Sequence, residues 1–279
     1  MKVAVLGTTG MLGNYVYLWL KQQGYDVTAL NRDELHITRQ VHVLRTVRSF
    51  DVLVNCVGII KQKADGVSEK KIIEANTFFP HVLQEICDIV SADSRRDCPL
   101  KLIHISTDCV FNGKPDYKNF RTESCPPNAT DLYGRSKALG EPSGATVIRT
   151  SIVGSENKGK KSLLEWVKSK NNQEVDGYVN HHWNGVTCLQ LAKFIENIIK
   201  NGSFWQGVRH YTSPHTISKF GLVRCIAHAY NLNVKVNPAD APEMKDMTLV
   251  SNYQLPLPPA SIPDQLAEML EFDRKNNLL

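Results

Sequence analysis

The sequence lacks a long hydrophobic run. None of its 279 residues lies in a stretch approaching the roughly 18 apolar residues that a membrane-spanning helix needs. An apolar stretch follows Lys2, but glycines at 7 and 10 interrupt it, and no small-residue cleavage site follows where a signal peptide would have one. The sequence therefore predicts a cytoplasmic protein that does not act at a membrane.

Paired cysteines and an excess of one charge are lacking as well. The seven cysteines are odd in number and include no CxxC pair, which disfavours a disulfide framework and a metal site. The 33 lysines and arginines exceed the 28 acidic residues by only five and are scattered along the chain, which disfavours a nucleic-acid partner. The 42% hydrophobic content is enough for one substantial core, alone or with a small second lobe.

The first half of the chain alternates strands and helices. The strands are nearly continuous in Val, Ile and Leu, which is typical of a parallel sheet covered on both faces. This pattern predicts an α/β fold of the Rossmann type, with a doubly wound parallel sheet. The predicted strands are Lys2–Leu6, Asp26–Leu30, Asp51–Cys56, Leu100–Ile105 and Ala145–Ile152, and the predicted helices are Met11–Gln22, His42–Arg48, Ile73–Val90 and Leu132–Glu141.

The alternation weakens after residue 153. We expect residues 1–153 to form a dinucleotide-binding domain and residues 154–279 to form mainly a smaller α+β substrate-binding lobe, with a helix at about 187–201 returning to the sheet domain. The helices predicted in this half are Leu163–Lys170, Leu189–Asn201, Ser218–Ala229 and Asp264–Phe272.

A glycine motif lies between the first predicted strand and the first predicted helix. Gly7, Gly10 and Gly13 follow the GxxGxxG spacing. Glycine is needed there for the sharp turn, for close approach of the backbone to a pyrophosphate and for close packing of helix on strand. The free N–H groups at the helix start would receive the phosphate charge. A tight turn without a ligand is the alternative.

The residues after the second strand bear on the choice of dinucleotide. An acid there would bond the 2′-hydroxyl of NAD, but the chain has Asn31 and Arg32 before Asp33. Arg32 could pair with the 2′-phosphate of NADP, so we expect NADPH to be preferred, with NADH left open. The alternative for Arg32 is a solvated loop charge.

Tyr133 and Lys137 are four positions apart at the start of a predicted helix, so they share one helical face. A free phenol, with a pKa near 10, is a poor acid or base at neutral pH, and a neighbouring ammonium lowers that pKa. Ser106 and Thr107 end the preceding strand and would offer a hydroxyl to a substrate oxygen. The alternative is a surface tyrosine and lysine on an amphipathic helix.

These motifs resemble those of the dTDP-4-dehydrorhamnose reductase family, within the extended short-chain dehydrogenases. The resemblance is carried by segments in the same order: 7–13, 106–111, 123–127, 132–137 with Gly140 and Glu141, and 149–151. It covers the first ~155 residues well and the remainder loosely. It implies an oxidoreductase that transfers hydride from NAD(P)H to C4 of a nucleotide-linked 4-keto-6-deoxyhexose, dTDP- or UDP-linked, with or without an N-acetyl group.

The resemblance also implies roles for individual residues. Tyr133 would donate the proton, Thr107 would hydrogen-bond the carbonyl, and Lys137 would tune Tyr133 and hold the ribose. Thr150 and Ser151 would lie near the nicotinamide. The cofactor would contact, in addition to Tyr133 and Lys137, the residues Gly7, Thr9, Gly10, Met11, Leu12, Gly13, Asn31, Arg32, Asn55, Cys56, Val57, Gly58 and Asn76.

Cys109 departs from the family pattern, where tyrosine is frequent. In related epimerase-reductases a cysteine at this position is an acid/base, so a combined epimerase and reductase is one alternative. A partner group from Lys160, Lys161 or His181 would then be needed. Cys109 as a small buried hydrophobe is the other reading.

A non-catalytic alternative is an NADP-binding regulatory subunit like the β subunit of methionine adenosyltransferase.

The predicted substrate-binding lobe offers further candidate residues. His181 and His182 lack the spacing of metal ligands. Trp183 would form a wall of the substrate pocket, and Arg209 could contact a diphosphate, with a solvated surface charge as the alternative. A nucleotide-diphosphate sugar is the expected partner, and dimers are common among relatives, so a homodimer is kept open.

Overall fold

The computed structural model describes residues 1–60, 66–115, 120–156 and 159–279. Its strands are β1 (Lys2–Leu6), β2 (Asp26–Leu30), β3 (Val52–Asn55), β4 (Lys101–Ile105), β5 (Thr146–Arg149), β6 (Ile152–Val153), β7 (Gln173–Tyr178), β8 (His181–Trp183), β9 (Val186–Thr187), β10 (Gly207–His210), β11 (Ile217–Ser218), β12 (Val234–Ala239) and β13 (Lys245–Asp246). Its α-helices are α1 (Met11–Gln22), α2 (Gln40–Val47), α3 (Glu69–Ile73), α4 (Phe79–Ser91), α5 (Leu132–Leu139), α6 (Leu163–Ser169), α7 (Cys188–Asn201), α8 (Lys219–Ala229) and α9 (Ile262–Lys275).

A parallel sheet forms the centre of the molecule. Within the described ranges its strand order is β10-β5-β4-β3-β1-β2, and every pairing is parallel. β3 and β5 are buried along their whole length, because helices cover both faces of the sheet. The predicted α/β fold of the Rossmann type is confirmed.

Two hydrophobic cores lie on opposite faces of this sheet. One packs β1 and β3 against α1 and α7 and continues to α8 and α9. The other packs the opposite side chains of the same strands against α2 and α4. Because side chains alternate across a strand, Val3 and Val5 enter the first core while Ala4 and Leu6 enter the second. The carboxyl ends of the strands then share one edge, where ligands bind in such sheets.

The long helix predicted over Ile73–Val90 is divided in the structure. It starts earlier, as α3, and a π-helical turn at Glu74–Phe78 joins α3 to α4. A π turn inserts one residue into the helical ladder and is frequent at functional sites. Here it presents Asn76 to the neighbouring loop, as described below.

Two elements from beyond residue 153 join the sheet layer. The expected return of a helix to the sheet domain corresponds to α7, which packs against α1. Strand β10 was not predicted. It pairs with β5 at the sheet edge, and its four residues include Arg209, so it lacks the apolar run of an inner strand. The division into two domains stays a prediction.

The rest of the second half forms small sheets and helices. β7 pairs with β12, and β8 pairs with β11 and β13. α9 is longer than the helix predicted over Asp264–Phe272, and its Asp273 carboxylate accepts a hydrogen bond of 2.5 Å from Tyr15 in α1. No helix in the described part of the chain has the length and apolar character needed to span a membrane.

Candidate active site

The glycine motif forms a turn that tolerates no side chain at two of its positions. Gly7 has φ +83°, a left-handed conformation that favours glycine. A Cβ at Gly13 would lie 2.3 Å from the carbonyl oxygen of Gly7. The turn therefore brings the start of α1 directly onto the end of β1, and the first N–H groups of that helix have no partner within the helix.

The loop after β3 lies against this turn. A Cβ on Gly7 would be 3.2 Å from the backbone nitrogen of Val57 and 3.3 Å from the carbonyl carbon of Cys56. The side chain of Asn55 accepts a hydrogen bond from the N–H of Val57 at 3.1 Å. Two of the segments predicted to hold a dinucleotide, 7–13 and 55–58, are thus adjacent.

Asn31 braces the glycine turn from the end of β2. Its Oδ1 accepts hydrogen bonds from the hydroxyl of Thr8 at 3.0 Å and from the backbone N–H of Thr9 at 3.1 Å. Sequence reasoning placed Asn31 against the cofactor and missed this internal contact. Arg32, the next residue, is exposed and lies beside the turn that Asn31 braces.

Asn76 ties the π-helical turn to two other elements. Its Oδ1 accepts from the N–H of Ile59 at 2.8 Å, and its Nδ2 donates to the carbonyl of Ile59 at 3.0 Å and to Oγ of Ser136 at 3.1 Å. A Cβ at Gly140 would lie 1.8 Å from the carbonyl oxygen of Asn76. Asn76 therefore fixes the position of α5 relative to the loop after β3.

The predicted catalytic side chains meet at the carboxyl end of β4. α5 begins at Asp131, whose side chain accepts from the N–H of Gly134 at 3.0 Å. The hydroxyl of Thr107 accepts from the N–H of Cys109 at 3.1 Å and donates to Asp108 at 3.0 Å. A Cβ at Gly134 would lie 2.1 Å from the carbonyl oxygen of Cys109, so the start of α5, with Tyr133, lies directly against the segment after β4.

Burial raises the pKa of Tyr133 and the nearby Cys109 raises it further, while the Thr107 side chain has a lowering effect and Asp108 a smaller raising one. The expected lowering of this pKa by the Lys137 ammonium stays a prediction, since Lys137 and Tyr133 share no hydrogen bond in the described part of the chain. The Nζ of Lys137 instead donates to the carbonyl of Ile105 at 2.7 Å and lies 3.3 Å from Nε2 of His104. Tyr133 is therefore a neutral phenol at physiological pH.

The pKa of Lys137 is shifted as well. Burial lowers its pKa to about 8, against smaller raising effects of Glu141 and Cys56. His104, its contact on β4, is fully buried, and burial holds the pKa of the imidazole well below its usual range. Sequence reasoning missed His104, although a histidine inside the apolar strand Leu102–Ile105 was a visible signal.

A buried ion pair supports the far end of α5. Arg149 at the end of β5 donates two hydrogen bonds to Glu141, at 2.8 and 2.7 Å, and Ser106 donates to the same carboxylate at 2.5 Å. The pair therefore joins β4, β5 and the segment after α5. Thr150 and Ser151 follow Arg149, and the carbonyl of Thr150 accepts a hydrogen bond of 3.0 Å from the N–H of Asp108.

The lobe contains a pocket of about 380 Å³. Lys161, Trp166 and Tyr178 contribute to its lining, together with Lys219, whose pKa is lowered by burial and then by Lys245. Basic and aromatic side chains are therefore combined in one cavity.

The other candidate residues of the second half of the chain, His181, Lys160 and Arg209, do not line this pocket. His181 bonds the carbonyl of Glu243 at 3.0 Å, and Lys160 is exposed. The guanidinium of Arg209 lies 4.7 Å from the ring centre of Trp205 and 4.5 Å from that of Tyr253. Among the described residues, no group of three His, Cys, Asp or Glu side chains could hold a metal ion.

Comparison with known proteins identifies the family. A family model described as the RmlD substrate binding domain matches residues 1–249. The chain belongs to this family. The resemblance to dTDP-4-dehydrorhamnose reductases read from the motifs is thereby confirmed.

Three similar proteins illustrate the range of relatives. A dTDP-4-dehydrorhamnose reductase of Mycobacterium tuberculosis is 29% identical over 238 residues, which are 81% of this chain and 74% of the relative. Methionine adenosyltransferase 2 subunit beta of Danio rerio is 26% identical over 258 residues, 83% and 74% of the two chains. The crystal structure of a dTDP-4-dehydrorhamnose reductase from Bacillus anthracis, in complex with NADP, has a TM-score of 0.80 at 19% identity and covers 97% of this chain and 99% of that one.

Cys109 lies beside Thr107, which together with Tyr133 and Lys137 forms the predicted catalytic corner. Its backbone N–H donates to Oγ1 of Thr107 at 3.1 Å, and Cys109 raises the pKa of Tyr133. Burial raises the pKa of Cys109, and the charge of Asp108 raises it further. Cys109 is therefore a neutral thiol beside the phenol.

Proposed function

We propose that this protein reduces the 4-keto group of a nucleotide-linked 4-keto-6-deoxyhexose with NADPH. The observation that carries the proposal is the convergence of Thr107, Tyr133 and Lys137 at the carboxyl end of β4. The same edge of the sheet carries the glycine turn. Ligands bind at this edge in open α/β sheets.

The residues of the turn fit a dinucleotide. Gly7 has a positive φ and Gly13 leaves no room for a Cβ, and the N–H groups at the start of α1 are free within the helix to meet a pyrophosphate. The turn, with Thr9, Met11 and Leu12, would hold the phosphates, while Cys56, Val57 and Gly58 would line the neighbouring wall. When bound, the reduced nicotinamide supplies the hydride.

The state of Tyr133 suits reduction rather than oxidation. A ketone that receives hydride becomes an alkoxide and needs a proton, and a neutral phenol is a proton donor. Burial keeps Tyr133 in that neutral form. Thr107 would hold the carbonyl oxygen beside the phenol once its hydroxyl hydrogen turns from Asp108 toward the substrate.

Arg32 favours NADPH over NADH. It is exposed next to Asn31, and Asn31 touches the glycine turn through Thr8 and Thr9. A guanidinium there is a suitable partner for a 2′-phosphate, whereas the residue directly after β2 is Asn31 and not the acid that would bond a 2′-hydroxyl.

The lobe pocket suits the nucleotide part of the substrate. An aromatic wall can stack on a base, and lysines can meet a diphosphate. Trp166 and Tyr178 provide the rings, and Lys161 and Lys219 provide the charges. This composition suits a nucleotide-linked sugar, and we propose a dTDP- or UDP-linked one that is met in the cytoplasm together with NADPH.

A regulatory subunit is the second candidate, because the similarity to a methionine adenosyltransferase β subunit spans 83% of this chain. A coupled assay separates the two functions. dTDP-, UDP- and GDP-linked 4-keto-6-deoxy sugars are supplied in turn while NADPH absorbance is followed, with Tyr133→Phe as the matched inactive control. We expect oxidation with a dTDP or UDP sugar in the wild type alone. Binding of NADPH without oxidation for any sugar would favour the regulatory subunit.

The combined epimerase and reductase needs a thiolate to remove a proton from carbon. The raised pKa of Cys109 disfavours that form, so we propose reduction without epimerisation. Turnover in deuterated water tests this choice. Deuterium at C3 or C5 of the product in the wild type, and its loss in Cys109→Ala, would establish epimerisation instead.

A further inference from the structure

His104 links the loop after β3 to the predicted catalytic lysine. It is fully buried in the middle of the sheet. Its Nδ1 lies 3.0 Å from Nδ2 of Asn55, and its Nε2 lies 3.3 Å from Nζ of Lys137. None of the roles assigned above uses this histidine, so a polar ring in an apolar strand is still to be explained.

The hydrogen bonds around His104 determine where its proton lies. The N–H of Val57 donates to Oδ1 of Asn55, so the amide NH₂ of Asn55 must point toward His104. An amide NH₂ only donates, and Nδ1 of His104 must therefore be the unprotonated acceptor. A neutral imidazole then carries its single proton on Nε2, the nitrogen that faces Lys137.

With its proton on Nε2, His104 interacts differently with the ammonium and with the uncharged amine of Lys137. An ammonium has three donors and no lone pair, so it cannot accept from the N–H on Nε2, and the two donors repel each other. The uncharged amine can accept this hydrogen bond while it still donates to the carbonyl of Ile105. We propose that His104 is a positioning residue that stabilises the uncharged amine of Lys137 and thereby sets the alkaline limit of the reductase.

The other groups around Lys137 do not account for this effect. Glu141, on the segment after α5, and Cys56, after β3, both favour the ammonium. Tyr133, one turn earlier on α5, is neutral because burial raises its pKa. His81 on α4 acts on His104, lowering its pKa together with burial and Lys137, which keeps the imidazole neutral. Burial by itself lowers the pKa of Lys137 to about 8, and the contact with His104 acts in the same direction.

The consequence for turnover rests on the proposed function. Proton donation leaves a phenolate on Tyr133, and the Lys137 ammonium stabilises that charge, whereas the amine does not. The rate should therefore fall as the pH rises through the pKa of Lys137. Moving this pKa upward should extend activity to higher pH.

Two substitutions would remove the repulsion between His104 and the Lys137 ammonium in different ways. His104→Phe removes the N–H that faces Lys137. Asn55→Asp is nearly isosteric: the new carboxylate can still accept from Val57 and would draw the proton to Nδ1, leaving the lone pair of Nε2 toward the lysine. Both should raise the pKa of Lys137 by about one unit or more. Should His104→Phe fail to fold, Asn55→Asp carries the test.

The titration is measured directly on the protein without substrate. Lysines labelled with ¹³C at Cε are followed by NMR from pH 6 to 11, and the Lys137 signal is assigned by its absence in Lys137→Met. His210→Phe is the matched control, because it removes an equally buried histidine whose Nδ1 faces Val250 instead. It should leave the Lys137 titration unchanged.

The outcomes separate this inference from the proposed function. A Lys137 titration that does not move in either variant, or that lies at the ordinary pKa in the wild type, overturns the role of His104 whether or not the protein is a reductase. If the NMR shift occurs, the alkaline limb of kcat against pH should shift upward by the same amount in both variants. A shifted lysine in a protein that oxidises no NADPH would instead overturn the reductase.

Discussion

Two tyrosines, Tyr133 and Tyr15, show how the same side chain serves two purposes in this molecule. Both lie on helices against the central sheet, and burial raises the pKa of both. Tyr15 is completely covered and donates to Asp273 at 2.5 Å while accepting from the N–H of Ser155 at 3.1 Å. Tyr133 is half-buried, and Thr107 is among the groups that act on its pKa.

The two tyrosines differ in whether the hydrogen bonds around the hydroxyl are all formed within the protein. Asp273 also accepts from Oγ of Ser155 at 2.6 Å and from the hydroxyl of Tyr230 at 3.1 Å, so α1, α8 and α9 are joined by a network complete within the protein. The hydroxyl of Tyr133 can still donate a hydrogen bond to the oxygen of a bound substrate. A closed network rigidifies, whereas an open one can receive a substrate.

The largest effect is expected from Tyr133→Phe. Loss of the proton donor should lower kcat by about 10³-fold, within the range for general acid catalysis, and should leave the thermal midpoint nearly unchanged. NADPH oxidation and calorimetry measure the two quantities. A rate within tenfold of the wild type would show that the phenol is not the acid.

Lys137→Met should separate activity from stability. We expect kcat to fall by ~10²-fold, while the free energy of unfolding at pH 7 rises by ~1–3 kcal/mol, because a buried charge is replaced by an apolar chain of similar length.

The pH dependence of this gain has a definite sign. Lys137 has a pKa of about 8 in the folded protein against 10.5 as its ordinary value. Between these two values the unfolded chain binds a proton that the folded protein does not, so wild-type stability rises with pH in this window. The advantage of Lys137→Met should therefore shrink from about pH 8 to pH 10.5. A pH-independent difference in urea unfolding would contradict the lowered pKa.

Tyr15→Phe should lower the stability and leave kcat nearly unchanged, which is the opposite of the result expected for Tyr133→Phe. The same oxygen is deleted, but Asp273 loses a donor and the N–H of Ser155 loses its acceptor. Burying these unpaired groups should cost about 2 kcal/mol. Urea unfolding measures the loss, and kcat of the folded protein should stay within about twofold, since Tyr15 lies outside the catalytic corner. A large fall in kcat with unchanged stability would remove the distinction between the two tyrosines.

The smallest effect is expected from Arg32→Ala, at the exposed rim of the glycine turn. Loss of a solvent-screened partner for the 2′-phosphate should weaken NADPH binding by about tenfold, near 1.4 kcal/mol, and leave NADH binding unchanged. Titration calorimetry with both dinucleotides measures the ratio. Equal weakening of both would mean that Arg32 supports the turn and does not read the phosphate.

The glycine turn and the catalytic helix were predictable because local chemistry dictates them. Gly7 needs a positive φ, and Tyr133 and Lys137 share a face through helical spacing alone. β10 could not be predicted, because an edge strand with a charged residue lacks the apolar run of an inner strand. The π-helical turn was missed because its signal, one inserted residue, does not disturb the apolar pattern.

By itself the sequence determined the α/β alternation, the strand-turn-helix that suits a dinucleotide and the tyrosine-lysine pair. These depend on neighbours within a few positions of one another. Only the tertiary structure decided the charge of that pair and the closure of the Tyr15 network. The pKa of a group depends on burial and on partners such as His104, Asp108 and Asp273, which stand far from their targets in the chain, and long-range packing alone brings them into contact.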